Sequence, residues 1–135
     1  MRVDRSFEVE VLRVNIDEML REAMAVEGAV GVSLVDYDSG MTLGAQGGNA
    51  LLDLETAGAG NTEVVRAKLR TIAALQLDDA IEDILITLSK QYHIIRPLAE
   101  DKGTRMFLYL VLDRSRANLA LARLHLRRVE QALIV

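Results

Sequence analysis

Two runs of this chain are apolar at almost every position: AVGVSLVDY, residues 29–37, and MFLYLVL, residues 106–112. Neither alternates as a strand with one wet face must, and both are too short to hold as helices on their own. Their valine and aromatic content favours strands, and a strand that is apolar throughout has to be covered on both faces. A fold containing two such strands therefore needs a layer on either side of its sheet. Helices can supply both layers, giving a three-layer α/β sandwich.

The remaining pattern provides those helices. A chain of 135 residues, half of them hydrophobic, is enough for one compact domain spanning residues 1–135. Apolar positions spaced by three and four predict an amphipathic helix over 9–26, with Gly28 as its stop. A short strand over 41–45 follows DYDSG, and a second helical region covers 50–77. Gly58 and Gly60 lie inside that region, each costing about 1 kcal/mol relative to alanine. Either the helix breaks there or close packing against another element offsets the loss. Three strands are expected next, over 81–89, 92–98 and 105–113, with Pro97 ending the second and Lys102-Gly103 in the following turn. A last helix over 115–134 has Ser115 as its N-cap. The order is αββαβββα. Acidic residues dominate the first helix and arginines the last. The pair suits being neighbours on one face of the sheet, although two solvated faces account for the same charges.

Composition removes several classes of function. No stretch of eighteen apolar residues is present and the first ten residues lack a signal-peptide core, so a cytoplasmic protein without membrane insertion is expected. Cysteine is absent, which excludes disulfides and thiolate chemistry. A net charge of −4 and few aromatic residues argue against nucleic acid as a partner.

The chemical motifs each fall short. A calcium loop beginning at Asp36 needs glycine sixth and glutamate twelfth, where this chain has Met41 and Gly47. Asp36-Tyr37-Asp38 also resembles the D-x-D nucleophile motif of haloacid dehalogenase-like phosphatases. Gly40, however, takes the place of the threonine, and the longer chain with alternating parallel strands is not found. A small hydrolase using Asp36 and Asp38 is the alternative to carry forward; a hairpin turn is the better reading, because Asp, Ser and Gly between two apolar runs supply turn geometry. GAGNTEVVR, residues 58–66, has Glu63 where the dinucleotide fingerprint needs its third glycine, and helix-like sequence precedes it. None of Lys68, Lys90 and Lys102 follows a glycine, so there is no nucleotide-binding phosphate loop of the Gly-Lys-Ser/Thr kind. Ser33 sits within a strand rather than at a nucleophile elbow. His93 and His125 stand apart without a metal-ligand partner at useful spacing. The arginines of LARLHLRRVE read as a solvated face. No catalytic, cofactor or metal site emerges.

Taken together, AVGVSLVDYDSGMTLG, NTEVVRAKLRTIAAL, IEDILITLSKQYHIIRPL and MFLYLVLDRSRANLALAR resemble the roadblock family, named for a dynein light chain, and most closely its short bacterial members. The resemblance covers almost the whole chain but rests on overall pattern, since the family has no catalytic signature. It implies a five-stranded antiparallel sheet, the middle helix on one face and the terminal helices on the other. It also implies a non-enzymatic homodimer that regulates or scaffolds a separately encoded small Ras-like GTPase, either stimulating hydrolysis or recruiting the enzyme. The family's sheet order puts the strand over 81–89 at an edge, where it has neither proline nor a central lysine to discourage pairing. Ile84, Ile86 and Leu88 are then expected at the dimer interface, with Ala57, Gly58 and Gly60 letting the middle helix approach its copy. The polar groups of that helix, Asn61, Glu63, Arg66, Lys68 and Arg70, are expected to form one surface for the GTPase. No arginine stands on an identifiable flexible loop near it, which disfavours a direct arginine finger.

Overall fold

The computed structural model of the protein describes residues 5–99 and 105–132, with side chains from Asn15 onward. The elements run α1 (Arg5–Met24), β1 (Ala29–Asp36), β2 (Thr42–Gly47), α2 (Leu54–Ala74), β3 (Ile84–Thr87), β4 (Gln91–Pro97), β5 (Met106–Asp113) and α3 (Leu119–Ala132). The strands form one antiparallel sheet in the order β2-β1-β5-β4-β3.

The two apolar runs are neighbours at the heart of this sheet, and their alternate residues feed two separate cores. Val32, Leu34, Leu108, Leu110 and Leu112 point to one face, where α1 and α3 cover them with Met19, Leu20, Leu126 and Val129. Val35, Phe107, Tyr109 and Val111 point to the other, beneath Leu54 and Val65 of α2. Each side chain of this size is worth about 1.5–3 kcal/mol when fully buried. α2 packs on β1 and β2, so its cover is displaced toward one side of the sheet.

The expected architecture and element order are present, with shifted boundaries. α1 begins four residues ahead of the expected start at Val9 and ends at Met24. β2 lies one residue later at its start and runs on to Gly47. The helix over 50–77 contracts to Leu54–Ala74, because Asp53 caps it. It does not break at its glycines. Gly58 lies so close to the sheet that a Cβ would stand 2.8 Å from Thr42 Oγ1 and 3.2 Å from Val35 Cγ2. β3 is only four residues long, since the segment before it is occupied by side-chain anchors instead of a ladder. Pro97 ends β4 as expected. α3 starts at Leu119 and not at Ser115: the Ser115 hydroxyl donates to Asp113 at 2.8 Å, and Asn118 Oδ1 accepts the Leu121 amide at 3.1 Å as the cap. Ile134 and the expected Lys102-Gly103 turn lie outside the described residues.

α1 and α3 are neighbours, as their charges suggested, but Arg123 and Arg127 of α3 have other partners. Arg123 makes a forked pair with Asp83, at 2.7 and 3.1 Å, and Arg127 pairs with Glu82. The Asp83 carboxylate holds Arg123 above its ordinary pKa. Buried Arg96 on β4 bonds Glu130 at 2.7 Å, and the second Glu130 oxygen accepts the Ala99 amide at 2.8 Å. These contacts fasten α3 to the entrance of β3.

Gly58→Ala should therefore destabilise the protein by about 1–3 kcal/mol in urea unfolding, the usual penalty for overpacking. Helix propensity alone predicts the opposite sign, a gain of about 1 kcal/mol.

Candidate partner-binding surface

α2 is the platform of the surface. Asp53 Oδ1 accepts the amides of Glu55 and Thr56 at 3.0 and 3.3 Å, while the Thr56 hydroxyl donates to Oδ2 at 2.8 Å. These bonds, the Thr56 hydroxyl foremost, hold the Asp53 carboxyl below its usual pKa. From this cap the helix buries Leu54, Gly58, Thr62 and Val65. At ~100° per residue, everything else on α2 divides into two flanks and an outward stripe.

One flank faces the β1–β2 hairpin. DYDSG is that hairpin's turn. The Gly40 amide donates to the Asp36 carbonyl at 2.7 Å, the Asp38 amide to Asp36 Oδ1 at 2.8 Å, and the Met41 amide to the Ser39 hydroxyl at 3.2 Å. Gly40 takes φ 80°, which favours glycine. Arg66 reaches down from α2 and donates Nε to the Tyr37 carbonyl at 2.8 Å and Nη2 to the Asp38 carbonyl. Arg105 pairs with Asp38 at 3.1 Å. The Asp36 carboxylate thus serves the turn and the Asp38 carboxylate an arginine; they are not arranged as a paired nucleophile and acid.

The opposite flank faces β5 and β4. His93 and Tyr109 are diagonal neighbours across the β4–β5 ladder and meet edge to face, ring centroids 5.4 Å apart. The Tyr109 hydroxyl lies 2.9 Å from His93 Nδ1, and His93 Nε2 lies 2.9 Å from Gln91 Oε1. With Nε2 donating to Gln91, Nδ1 is left to accept the tyrosine proton. Asn61 of α2 adjoins the Tyr109 hydroxyl, and its amide nitrogen is buried without a partner. Burial pushes the His93 pKa down and the Tyr109 pKa up.

The expected partner-binding residues consequently do not form one surface. Glu63, Lys68 and Arg70 are exposed. Arg66 is half-buried and clamps the turn, and Asn61 is half-buried on the far flank, about 140° around the helix from Arg66. Of the expected dimer residues, Gly58 is turned into its own sheet and Ala57 packs partly against the α2 core, whereas Gly60 is exposed and a Cβ there meets no atom within 4 Å. Ile84 and Ile86 are half-buried on the α2 face at the β3 edge. Leu88 lies beyond the strand in the β3–β4 turn and is 42% exposed.

Two features were missed in the sequence. Gly60, Val64, Ala67, Thr71 and Ala74 make an exposed stripe of small or apolar residues along α2. Its spacing of four and three was a readable signal, obscured by the stronger buried stripe. The pairing of His93 with Tyr109 carried no sequence signal, because it depends on strand register.

Gly40→Ala should lower stability by about 1–2 kcal/mol, through backbone conformation alone, since a Cβ there has no neighbour closer than 4.0 Å. His93 gives a pH signature. Above its ordinary pKa of 6.5 both folded and unfolded chains carry it neutral. Below 6.5 the unfolded chain takes up a proton that the folded state resists, so stability should fall as pH is lowered through that range. Urea midpoints measured across this window should slope less steeply for His93→Gln.

No protein-family model matches the sequence, and no curated protein does. In structure the chain is similar to MglB of Myxococcus xanthus, with TM-score 0.73 and 16% identity over 98% of this chain and 90% of that one. It is similar to a structure of MglB with a tetrameric arrangement, with TM-score 0.74 and 21% identity over 90% and 86%. A Roadblock/LC7 domain from Streptomyces avermitilis superposes with TM-score 0.69 at 10% identity, over 90% and 92%. The chain has the roadblock fold.

Proposed function

We propose that this protein is a non-enzymatic homodimer that regulates or scaffolds a separately encoded small Ras-like GTPase. The observation that carries the reading is the outward stripe of α2 together with an unprotected sheet edge at β3. Val64 is 39% exposed on that stripe, Leu75 just past the helix is 62% exposed, and β3 leaves one side of its ladder open. Pairing β3 with its two-fold copy would continue the sheet across two protomers and cover Ile84 and Ile86. Gly60, Val64 and Ala67 would allow the two α2 helices to approach. The fold similarity to MglB and the roadblock resemblance of the sequence support the GTPase as client, with the exposed Glu63, Lys68 and Arg70 among the groups offered to it. Among the described residues no helix is long and apolar enough to cross a membrane.

Ile86→Lys should release monomers in sedimentation velocity, and the double variant Ile84→Pro with Ile86→Pro should do so more completely. A dimer that survives the prolines would place the interface elsewhere. The Ras-like GTPase encoded nearest the gene, loaded with a GTP analogue or GDP, should be retained by the immobilised dimer. Retention unchanged by Glu63→Arg together with Lys68→Glu would move the contact off α2, and no retention in either nucleotide state would remove the GTPase from the reading.

A further inference from the structure

α2 is displaced toward β1 and β2, so the β4–β3 side of the same sheet face carries Ile84, Ile86, Gln91 and His93 only half-buried. His93 lies opposite Ile86 across the ladder, one strand in from the open edge. A neutral ring satisfies both of its hydrogen bonds, Nε2–H donating to Gln91 Oε1 and Nδ1 accepting the Tyr109 hydroxyl, each at 2.9 Å. A second proton on the ring makes Nδ1 a donor, and Tyr109 must then turn its own proton elsewhere. Asn61 adjoins that hydroxyl, but its Nδ2 is itself a donor, buried without a partner. Among the described residues no carboxylate lies within ion-pair distance of His93. β3 carries no ionisable residue between Ile84 and Thr87. On β5, Asp113 lies on this face beyond Val111, where its Oδ1 accepts from the Ser115 amide and hydroxyl at 3.0 and 2.8 Å. Those bonds, with Arg116 nearby, hold it below its usual pKa. α2 presents Asn61 and, about 20° round the helix, Lys68, while Lys90 stands in the β3–β4 turn; both lysines are exposed.

We infer that His93 makes dimerisation pH-dependent, its protonation releasing the pairing through β3. This rests on the homodimer proposed above. In a single protomer, water reaches the open β4–β3 face and can solvate an imidazolium. In the pair, β3 continues into the β3 of the second copy, and the uncharged Gly60, Val64 and Ala67 of the second α2 come over Ile84, Ile86 and His93. Glu63 and Lys68 of that helix border the stripe. Water is withdrawn, and a charge taken out of water without a counter-ion is disfavoured. The dimer therefore takes up protons less readily than the monomer, and by linkage acidification favours the monomer. Burial already holds His93 below its ordinary pKa of 6.5, so release belongs below that value. Each dimer contains His93 twice, and its dissociation constant responds to both.

The test is a dilution series of the full-length protein in sedimentation velocity, run from about pH 7.5 down to about pH 5. The Kd of the dimer should rise about tenfold or more over that range. His93→Gln keeps a hydrogen-bonding side chain that does not titrate, and its Kd should stay flat. His125, the other histidine of the chain, lies on α3, and His125→Gln should leave the acid release in place. Tyr109→Phe removes the hydroxyl that favours the neutral ring, so release should move to higher pH, a shift that a merely structural role for the tyrosine does not produce. A wild-type Kd that stays flat or falls on acidification overturns the inference and leaves the proposed dimer standing. Acid release that persists in His93→Gln, or that is unmoved in Tyr109→Phe, does the same. Monomers at every pH remove the proposed dimer, and the switch with it.

Discussion

Burial of β1 and β5 on both faces is the constraint from which the rest of the structure follows. A strand that offers no wet face cannot lie at an edge, so these two pair with each other, and β2 and β4 flank them. The helices have to divide between the faces, two on one side and one on the other. In strands this uniformly apolar, hydrophobicity alone does not fix register, because a slip of one residue exchanges one apolar side chain for another. Size does the work here. On the α2 face, Gly31 is opposite Val111 and Ser33 opposite Tyr109, small against large, and a slip would set Tyr109 beside Val32 or Leu34.

One helix covers the α2 face, and it covers that face unevenly. Gly58 lets α2 settle onto β1 and β2, which tilts the balance of the protomer toward the hairpin side and leaves the β3 side to be covered by something else. The two flanks of α2 consequently have different characters. Toward the hairpin it carries Glu63, Arg66 and Arg70 and is locked to backbone carbonyls by Arg66. Toward β3 it carries Lys68 as its one charge, with a hydrogen-bonded histidine and tyrosine beneath it and small residues above.

The layering was legible in the sequence because it depends on quantities a sequence displays directly: continuous apolar runs, three-and-four spacing and charge segregation. The hairpin turn was legible too, since Asp38, Ser39 and Gly40 act locally. Side-chain partnerships over long separations were not. The α3 arginines appeared to complement acidic α1, yet Arg123 and Arg127 bind Asp83 and Glu82, forty and forty-five positions away. Arg66 read as a free polar group of α2 until the turn was placed beneath it, and Arg105 carried no signal at all before β5 brought it beside Asp38. The two glycines of α2 are indistinguishable as letters. Only the sheet tells Gly58, which touches it, from Gly60, which does not.

The pairing of β1 with β5 also sets a timetable for folding. Val32 and Leu110 are cross-strand neighbours, so the central ladder joins the first third of the chain to the last. Closing so long a loop precedes any gain from the contact, which places the fold among those that form slowly. During synthesis, β1 and β2 can make their hairpin early, and α1 and α2 can cover its faces before β5 exists, but β1 keeps one bare edge until β5 has been made. For that interval AVGVSLVDY is an apolar strand without its partner, the kind of segment that chaperones and neighbouring nascent chains can bind.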